Sequence, residues 1–269
     1  MTGEPEHSTL RARFRALHQS GTFVIPNPFD VGSARILEHL GFSALATTSS
    51  GLAATMGRLD GTVTLDELVT HVAALARAVS IPINVDAERC YAESSSGICE
   101  TIERLAEAGA SGISIEDWNP ATAAIDPIDV ATERVAAAAA ACRPHGIMLT
   151  GRAEKHLHGV TDLDDTIARL RAYRNAGAEV LYAPGAQAAS EVARIATECD
   201  APINVLALPG SPAVSVLAEL GVRRVSTGGA LAWAAYGGLV AAATELRDHG
   251  TNTFYANAAP AVLRNAAFR

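Results

Sequence analysis

Eight short runs of apolar, mostly β-branched residues recur along the chain, at positions 22–26, 44–48, 83–87, 112–116, 148–152, 180–183, 203–207 and 224–227. Their length and composition predict strands. Between them lie segments in which apolar residues return every three or four positions, as in Leu65-Asp66-Glu67-Leu68-Val69, Ile102-Glu103-Arg104-Leu105 and Asp164-Asp165-Thr166-Ile167-Ala168-Arg169-Leu170. That is the spacing of one helix face. Several of these segments stop at a glycine suited to a left-handed cap, Gly41 and Gly177 among them. The tetrapeptide Pro82-Ile83-Asn84-Val85 returns as Pro202-Ile203-Asn204-Val205, so the strand–helix unit echoes itself. Eight such units in about 250 residues predict an α/β chain folded as a (β/α)8 TIM barrel. The expectation is a single barrel domain over residues 1–269, with 251–269 as a helical C-terminal extension. A doubly wound sheet is the alternative, but no G-x-G-x-x-G follows the first run.

Polar residues collect at one end of these runs. The second ends in Thr47-Thr48-Ser49-Ser50-Gly51-Leu52, the third in Asp86 and Glu88, the fourth in Glu116-Asp117, the fifth in Arg152 and Glu154, and the seventh in Asn204. The opposite ends carry mostly Gly, Ala, Pro and β-branched residues. Barrel enzymes build their sites at the carboxyl ends of the strands, so this polarity predicts a site there.

Composition narrows the partner. The chain has 269 residues, 49% hydrophobic and 19% charged, with net charge -8 and an isoelectric point near 5.5. An acidic surface of this kind argues against nucleic acid and against an anionic membrane, leaving a small metabolite. Residues 1–17 show no apolar signal core, and the apolar run 230–243, which holds a Gly-Gly pair, is shorter than the ~20 residues a membrane span needs. Cys90, Cys99, Cys142 and Cys199 are scattered, without C-x-x-C spacing. A reducing cytoplasm suits them.

In the run Ile83-Asn84-Val85-Asp86-Ala87-Glu88, strand alternation places Asn84, Asp86 and Glu88 on one face. Buried carboxylates need a cation. Arg152 is one, but a single arginine does not neutralise Asp86, Glu88 and Glu116 together. An all-oxygen set without histidine suits a hard divalent ion, Mg²⁺ or Mn²⁺, with some carboxylates acting through water. The alternative is a rim of carboxylates solvated or paired with Arg152 and Arg89.

Several segments together, Pro26-Asn27-Pro28-Phe29-Asp30 with Ser33-Ala34-Arg35, Thr48-Ser49-Ser50-Gly51-Leu52, Asp86-Ala87-Glu88, Ile115-Glu116-Asp117 and Gly151-Arg152-Ala153-Glu154, resemble the phosphoenolpyruvate mutase/isocitrate lyase superfamily. The resemblance runs from about Phe23 to about Leu246. It implies a Mg²⁺-dependent barrel that binds a 2-oxo acid and makes or breaks the bond to its C3. By position, Asp86 resembles the direct metal ligand, Glu88 and Glu116 the water-mediated ones, and Asp60 a further acid near the metal. Ser50, Gly51 and Leu52 resemble the turn that holds the substrate carboxylate, and Arg152 the arginine on the substrate's oxygens. Asn204 closes the substrate-binding set, and Arg152, Glu116 and Asp60 form the catalytic one. The resemblance also implies a homotetramer in which a C-terminal helix packs on a neighbour.

Two segments depart from the family. The metal acids are followed by Arg89-Cys90-Tyr91-Ala92 in place of a Thr/Asn-Gly-Tyr/Phe-Gly run. The loop from Trp118 to Ala123 holds neither the Lys/Arg-Cys-Gly-His segment of isocitrate-type lyases nor the Asn-Lys pair of phosphonate mutases. The expected function is therefore a Mg²⁺-dependent C–C lyase acting on a small 2-oxo or 2-hydroxy di- or tricarboxylic acid through an enolate, by oxaloacetate decarboxylation or retro-aldol cleavage. The alternatives are a C–P enzyme (a phosphonopyruvate hydrolase or phosphoenolpyruvate mutase), a non-catalytic 2-oxo acid binder, and a phosphate-handling barrel suggested by Ser226-Thr227-Gly228-Gly229. Cys90, His156, His158, the single lysine Lys155 and Asn119 are further candidates near the same rim. Each also has a packing role as its alternative.

Overall fold

The computed structural model describes residues 4–269, with side chains from residue 7 onward. Residues 1–3 of the expected domain lie outside the described residues. All eight predicted runs are strands of one parallel sheet: β1 (Phe23–Ile25), β2 (Leu45–Ala46), β3 (Ile83–Asp86), β4 (Gly112–Glu116), β7 (Met148–Arg152), β8 (Val180–Tyr182), β9 (Ile203–Leu206) and β10 (Arg224–Ser226). Their order is β1-β10-β9-β8-β7-β4-β3-β2. The Ala46 N–H donates to the Pro26 carbonyl at 3.1 Å, which bridges the two end strands and nearly closes the barrel. The segment after β4 forms a small antiparallel hairpin of β5 (Trp118–Asn119) and β6 (Ala124–Ile125).

Strand alternation divides the apolar residues into two cores. Val85, Ile113, Leu149, Leu181, Val205 and Val225 join one large cluster with helix residues such as Leu68, Leu75, Ile102 and Leu105. Each such side chain contributes about 1.5–3 kcal/mol on burial. Ile25, Ala44, Ala46, Met148 and Val180 form the second cluster around Phe14 of α1 (Glu4–Leu17), which stoppers the barrel interior from below. Gly112 is required here. A Cβ on it would stand 2.4 Å from the Phe14 ring and 2.6 Å from Asn84 Oδ1.

Several of the helices between strands start on side-chain caps. Asp30 caps α2 (Val31–His39), with Ser33 N–H donating to its Oδ1 at 2.7 Å, and Thr64 and Glu67 form a capping box on α4 (Leu65–Ala78). After β10 comes α10 (Ala230–His249), of whose 20 residues only Ala232 is buried. Beyond it, α11 (Ala261–Ala267) packs on α2 with Ala267 buried. No helix among the described residues is long and apolar enough to cross a membrane.

Candidate active site

β3, β4 and β7 are hydrogen-bonded neighbours, and their ends bring Asp86, Glu116 and Arg152 together. Arg152 Nη1 lies 2.5 Å from Asp86 Oδ1 and 3.1 Å from Glu116 Oε2. Its Nε donates to Glu154 Oε1 at 2.9 Å. Below it, the guanidinium carbon stands 5.3 Å from the Tyr182 ring centroid, a cation–π contact. The cation that β3's acids require is thus Arg152.

Glu88 reaches the same mouth by a different route from the one alternation predicts. The strand ends at Asp86, and the chain then enters a turn with Glu88, Cys90 and Tyr91 at φ of 47°, 62° and 52°. Left-handed backbone costs about 1–2 kcal/mol at a non-glycine residue, and neighbours fix it in place. Thr101 Oγ1 donates to the Cys90 carbonyl at 2.9 Å and Arg134 Nη2 to that of Arg89 at 2.6 Å. Glu116 N–H donates to the Glu88 carbonyl at 3.0 Å, and the Tyr91 hydroxyl to Glu88 Oε1 at 3.0 Å.

Electrostatically the mouth is overcrowded with acid. Burial, then repulsion from Asp86, pushes the Glu88 carboxyl up to about 7. Burial also raises Glu116 well above the carboxylate range and raises Glu154, against the pull of Arg152 on both. Burial works against the charge on Arg152, but Glu154, Glu116 and Asp86 outweigh it and hold the proton on. Four carboxyls share one guanidinium, so without a second cation burial and mutual repulsion favour keeping protons on some of them, and the all-oxygen donor set fits a hard divalent ion. Among the described residues no three His, Cys, Asp or Glu side chains are already arranged around a common metal position.

A cavity of about 170 Å³ runs from this mouth down into the barrel. Asp60 and Ser50 line its upper part, with Asp86 and Arg152, while Asn84, Ser114, Asn204 and Arg224 line the same cavity from strands β3, β4, β9 and β10. α3 (Ser49–Thr55) starts at its edge, and Thr48 Oγ1 accepts the Gly51 N–H at 3.3 Å. Gly51 and Leu52 are buried behind Ser50, and a Cβ on Gly51 would meet Thr48 Cγ2 at 2.5 Å. Asp60 sits on an exposed loop. Asn204 is buried, donating from Nδ2 to Ser226 Oγ at 2.9 Å and accepting from Arg224 Nε at 2.9 Å. A second hollow, of about 310 Å³, opens outward past Glu88, Glu116, Trp118 and His158.

The remaining candidates are each engaged with neighbouring residues. Cys90 is fully buried, which pushes its thiol up to about 12. Lys155 Nζ lies 2.6 Å from Asp165 Oδ2, His156 hydrogen-bonds Thr166 at 3.1 Å, and His158 stacks on Trp118 with centroids 3.6 Å apart. Asn119 serves the hairpin, donating to Asp126 at 3.2 Å and accepting from Ala121 N–H at 3.0 Å. Arg89 pairs with Asp126 and Glu93 rather than with the mouth acids. The N–H groups of Thr227 and Gly228 both donate to Asn27 Oδ1 at 2.9 Å, so the glycine turn after β10 is tied to the Asn27 motif. Sequence reasoning passed over Tyr182 and Arg224. Period-two alternation in Arg224-Val225-Ser226, with polar residues on the inward face, was the available signal.

Residues 14–247 match the model of the phosphoenolpyruvate phosphomutase family. A crystal structure from Burkholderia cenocepacia J2315, of a protein assigned provisionally as a lyase or mutase, has a TM-score of 0.94 and 46% identity, covering 98% of this chain and 97% of that one. An uncharacterised protein of Mycobacterium tuberculosis H37Rv is 35% identical over 218 residues, 80% of this chain and 81% of its own. An oxaloacetate decarboxylase of Paraburkholderia xenovorans LB400 is 31% identical over 239 residues, 85% of this chain and 76% of its own. The chain belongs to the phosphoenolpyruvate phosphomutase family, within the phosphoenolpyruvate mutase/isocitrate lyase superfamily.

Proposed function

We propose that this chain is a divalent-metal-dependent lyase that breaks a C–C bond of a small 2-oxo or 2-hydroxy di- or tricarboxylic acid, by decarboxylation of oxaloacetate at the bond between C3 and its carboxylate or by retro-aldol cleavage. One observation carries the reading: Asp86, Glu116 and Glu154 contact the guanidinium of Arg152 at the open end of the barrel, and Glu88 lines the hollow beside them. The similarity to an oxaloacetate decarboxylase supports the same class.

Mg²⁺, with Mn²⁺ as the alternative, suits Asp86 as direct ligand and Glu88 and Glu116 as ligands through water. When bound, such an ion supplies Lewis-acid stabilisation of charge on the C2 oxygen. The residues of the chain do the rest. Arg152 donates to that oxygen and so favours the enolate left when the bond to C3 breaks. Ser50, with the α3 turn through Gly51 and Leu52, seats the carboxylate, and Asn204 orients the other end from below. Glu116, held above the usual carboxylate range by burial, is the acid beside the reacting centre that would hand a proton to the carbanion carbon. Asp60 completes the acidic rim.

C–P cleavage is the second reading, favoured by the family's namesake reaction. A departing phosphoryl group calls for cationic or amide donors closing over it. The hairpin over the mouth offers Trp118, Asn119 and Thr122 and no Lys, Arg or His, and its Asn119 amide is bonded to Asp126. That supports neutral departing products such as CO₂ or a carbonyl compound.

The reading includes a homotetramer acting in the cytoplasm. Trp233, Leu239, Val240 and Leu246 of α10 are each more than half exposed, an apolar face suited to a neighbouring copy, and all four cysteines are free. Light scattering at micromolar concentration should give four times the 27.8 kDa chain mass. A monomer would contradict it. Release of pyruvate from oxaloacetate that depends on Mg²⁺ and stops with chelator tests the activity, and metal-independent turnover would contradict the metal.

A further inference from the structure

Arg224 enters the barrel from β10 and is buried, with only 3% of its surface exposed, yet it lines the same cavity as Arg152 and Asp86. Its partners are all uncharged. Nε donates to Asn204 Oδ1 at 2.9 Å, Nη2 to Thr150 Oγ1 at 2.9 Å, and Nη1 lies 3.5 Å from His18 Nε2. His18 is neutral, because burial and then the Arg224 charge push it down to about 3. Its Nδ1 lies 2.9 Å from the Phe14 carbonyl, which fixes the proton there and leaves Nε2 as an acceptor. Among the described residues no carboxylate pairs with Arg224, and burial lowers its guanidinium only to about 10. It is therefore a cation at neutral pH.

An unanswered charge inside a protein is costly, and a chain that needed only a strut here would do better with an apolar side chain. Three of the five guanidinium N–H groups have acceptors in Asn204, Thr150 and His18, and a guanidinium presents its donors as a planar fork that matches a carboxylate. Beside it, Asn204 Oδ1 is held by Arg224, which turns the Asn204 amide so that its NH₂ faces Ser226. On another wall of the same cavity the Asn84 side-chain oxygen Oδ1 is buried without a hydrogen-bond partner, an acceptor open to a donor such as a substrate hydroxyl.

We propose that Arg224, with Asn204 and Ser226, forms an anion subsite in the lower cavity that takes a second carboxylate of the substrate, so that the chain selects small dicarboxylates over monocarboxylates. The inference rests on the reading of the mouth as a 2-oxo or 2-hydroxy acid site, and it adds a second charged contact to the one at Arg152. Surplus acid above and one unanswered cation below give the cavity a field along its length. A molecule with an anionic group at its inner end and its reacting oxygens at Arg152 answers both.

The test uses a matched pair. (S)-malate is (S)-lactate with a carboxylate in place of one methyl hydrogen, so the ratio of their affinities reads the second carboxylate alone. By calorimetry with Mg²⁺ present, the natural protein should bind malate about tenfold or more tightly than lactate. Arg224→Met should bring the ratio close to one while leaving lactate affinity within about twofold, and its melting temperature without ligand should be unchanged or higher. Arg224→Lys, which keeps the charge and loses the fork, should fall between them and serves if the methionine variant does not fold. A ratio retained in either folded variant would overturn the subsite, as would equal binding of the two acids by the natural protein. Binding of neither acid would overturn the parent reading along with it.

Discussion

Two guanidinium groups sit inside the same barrel and are answered in opposite ways. Arg152, at the mouth, has contacts with Asp86, Glu116 and Glu154 within 3.1 Å. Arg224, on β10, has only neutral partners. The mouth holds more carboxyls than its arginine balances, and the lower cavity holds an arginine with no carboxylate. On the proposed reading each imbalance is answered by a ligand, a divalent cation above and a carboxylate below. A structural ion network would have cancelled its charges locally, as Arg169 does with Asp117 at 3.1 Å and Asp165 at 2.8 Å under the hairpin.

Breaking the upper half should have the largest effect. Arg152→Lys keeps one positive charge but loses the fork that spans Asp86, Glu116 and Glu154. Turnover should fall by about 10²–10³-fold or more, the scale of losing one oxyanion donor, with the fold retained by circular dichroism. Near-normal turnover would remove Arg152 from the chemistry. Asp86→Ala follows: calorimetry should show Mg²⁺ affinity down at least about tenfold, and unchanged affinity would move the metal elsewhere.

A smaller effect sharpens the contrast through pH. Glu88 is held at about 7 against an ordinary 4.5, so between those values the folded, metal-free chain keeps a proton that the unfolded chain has lost. Stability to urea in chelator should therefore fall as pH rises from 4.5 towards 7. Glu88→Gln should flatten that decline, and saturating Mg²⁺, which favours the ionised form, should do the same. A metal-free protein that grows more stable through this window, with Glu88→Gln no different, would show that the mouth is not strained by its acids. The smallest effect concerns the turn. Cys90→Gly relieves a φ of 62° but gives up a buried thiol and loosens the unfolded chain, so stability should change by less than about 1 kcal/mol.

The same contrast explains what the sequence made legible. The eight strands and the acids at their ends were readable because parallel strands buried on both faces carry unbroken apolar runs, and charges stand out where such runs stop. Asp86, Glu116 and Arg152 meet because β3, β4 and β7 are neighbours, which chain order and barrel closure already imply. Glu88 was expected at the mouth for the wrong geometric reason: a left-handed turn, not alternation, carries it there. Nothing in the residue types Arg89-Cys90-Tyr91 announces that backbone, since glycine is the usual sign of it. Arg224 was hidden because the arginine beside it, Arg223, is on the outside and reads as the same surface charge. Only the closed barrel separates them. The hairpin after β4 read as a plain loop because its strands are two residues each, too short to show a period.

On the proposed reading the bond broken is C–C rather than C–P, and parallel assays decide it. Oxaloacetate and phosphonopyruvate are given to the same protein with Mg²⁺, pyruvate is followed by a coupled dehydrogenase, and phosphate is followed in parallel. A kcat/KM for oxaloacetate, or for a branched malate-like acid, above that for phosphonopyruvate is the predicted result. Phosphate release from phosphonopyruvate at the higher kcat/KM would contradict it, and silence in both assays with measurable 2-oxo acid binding would make the chain a binder instead of a lyase.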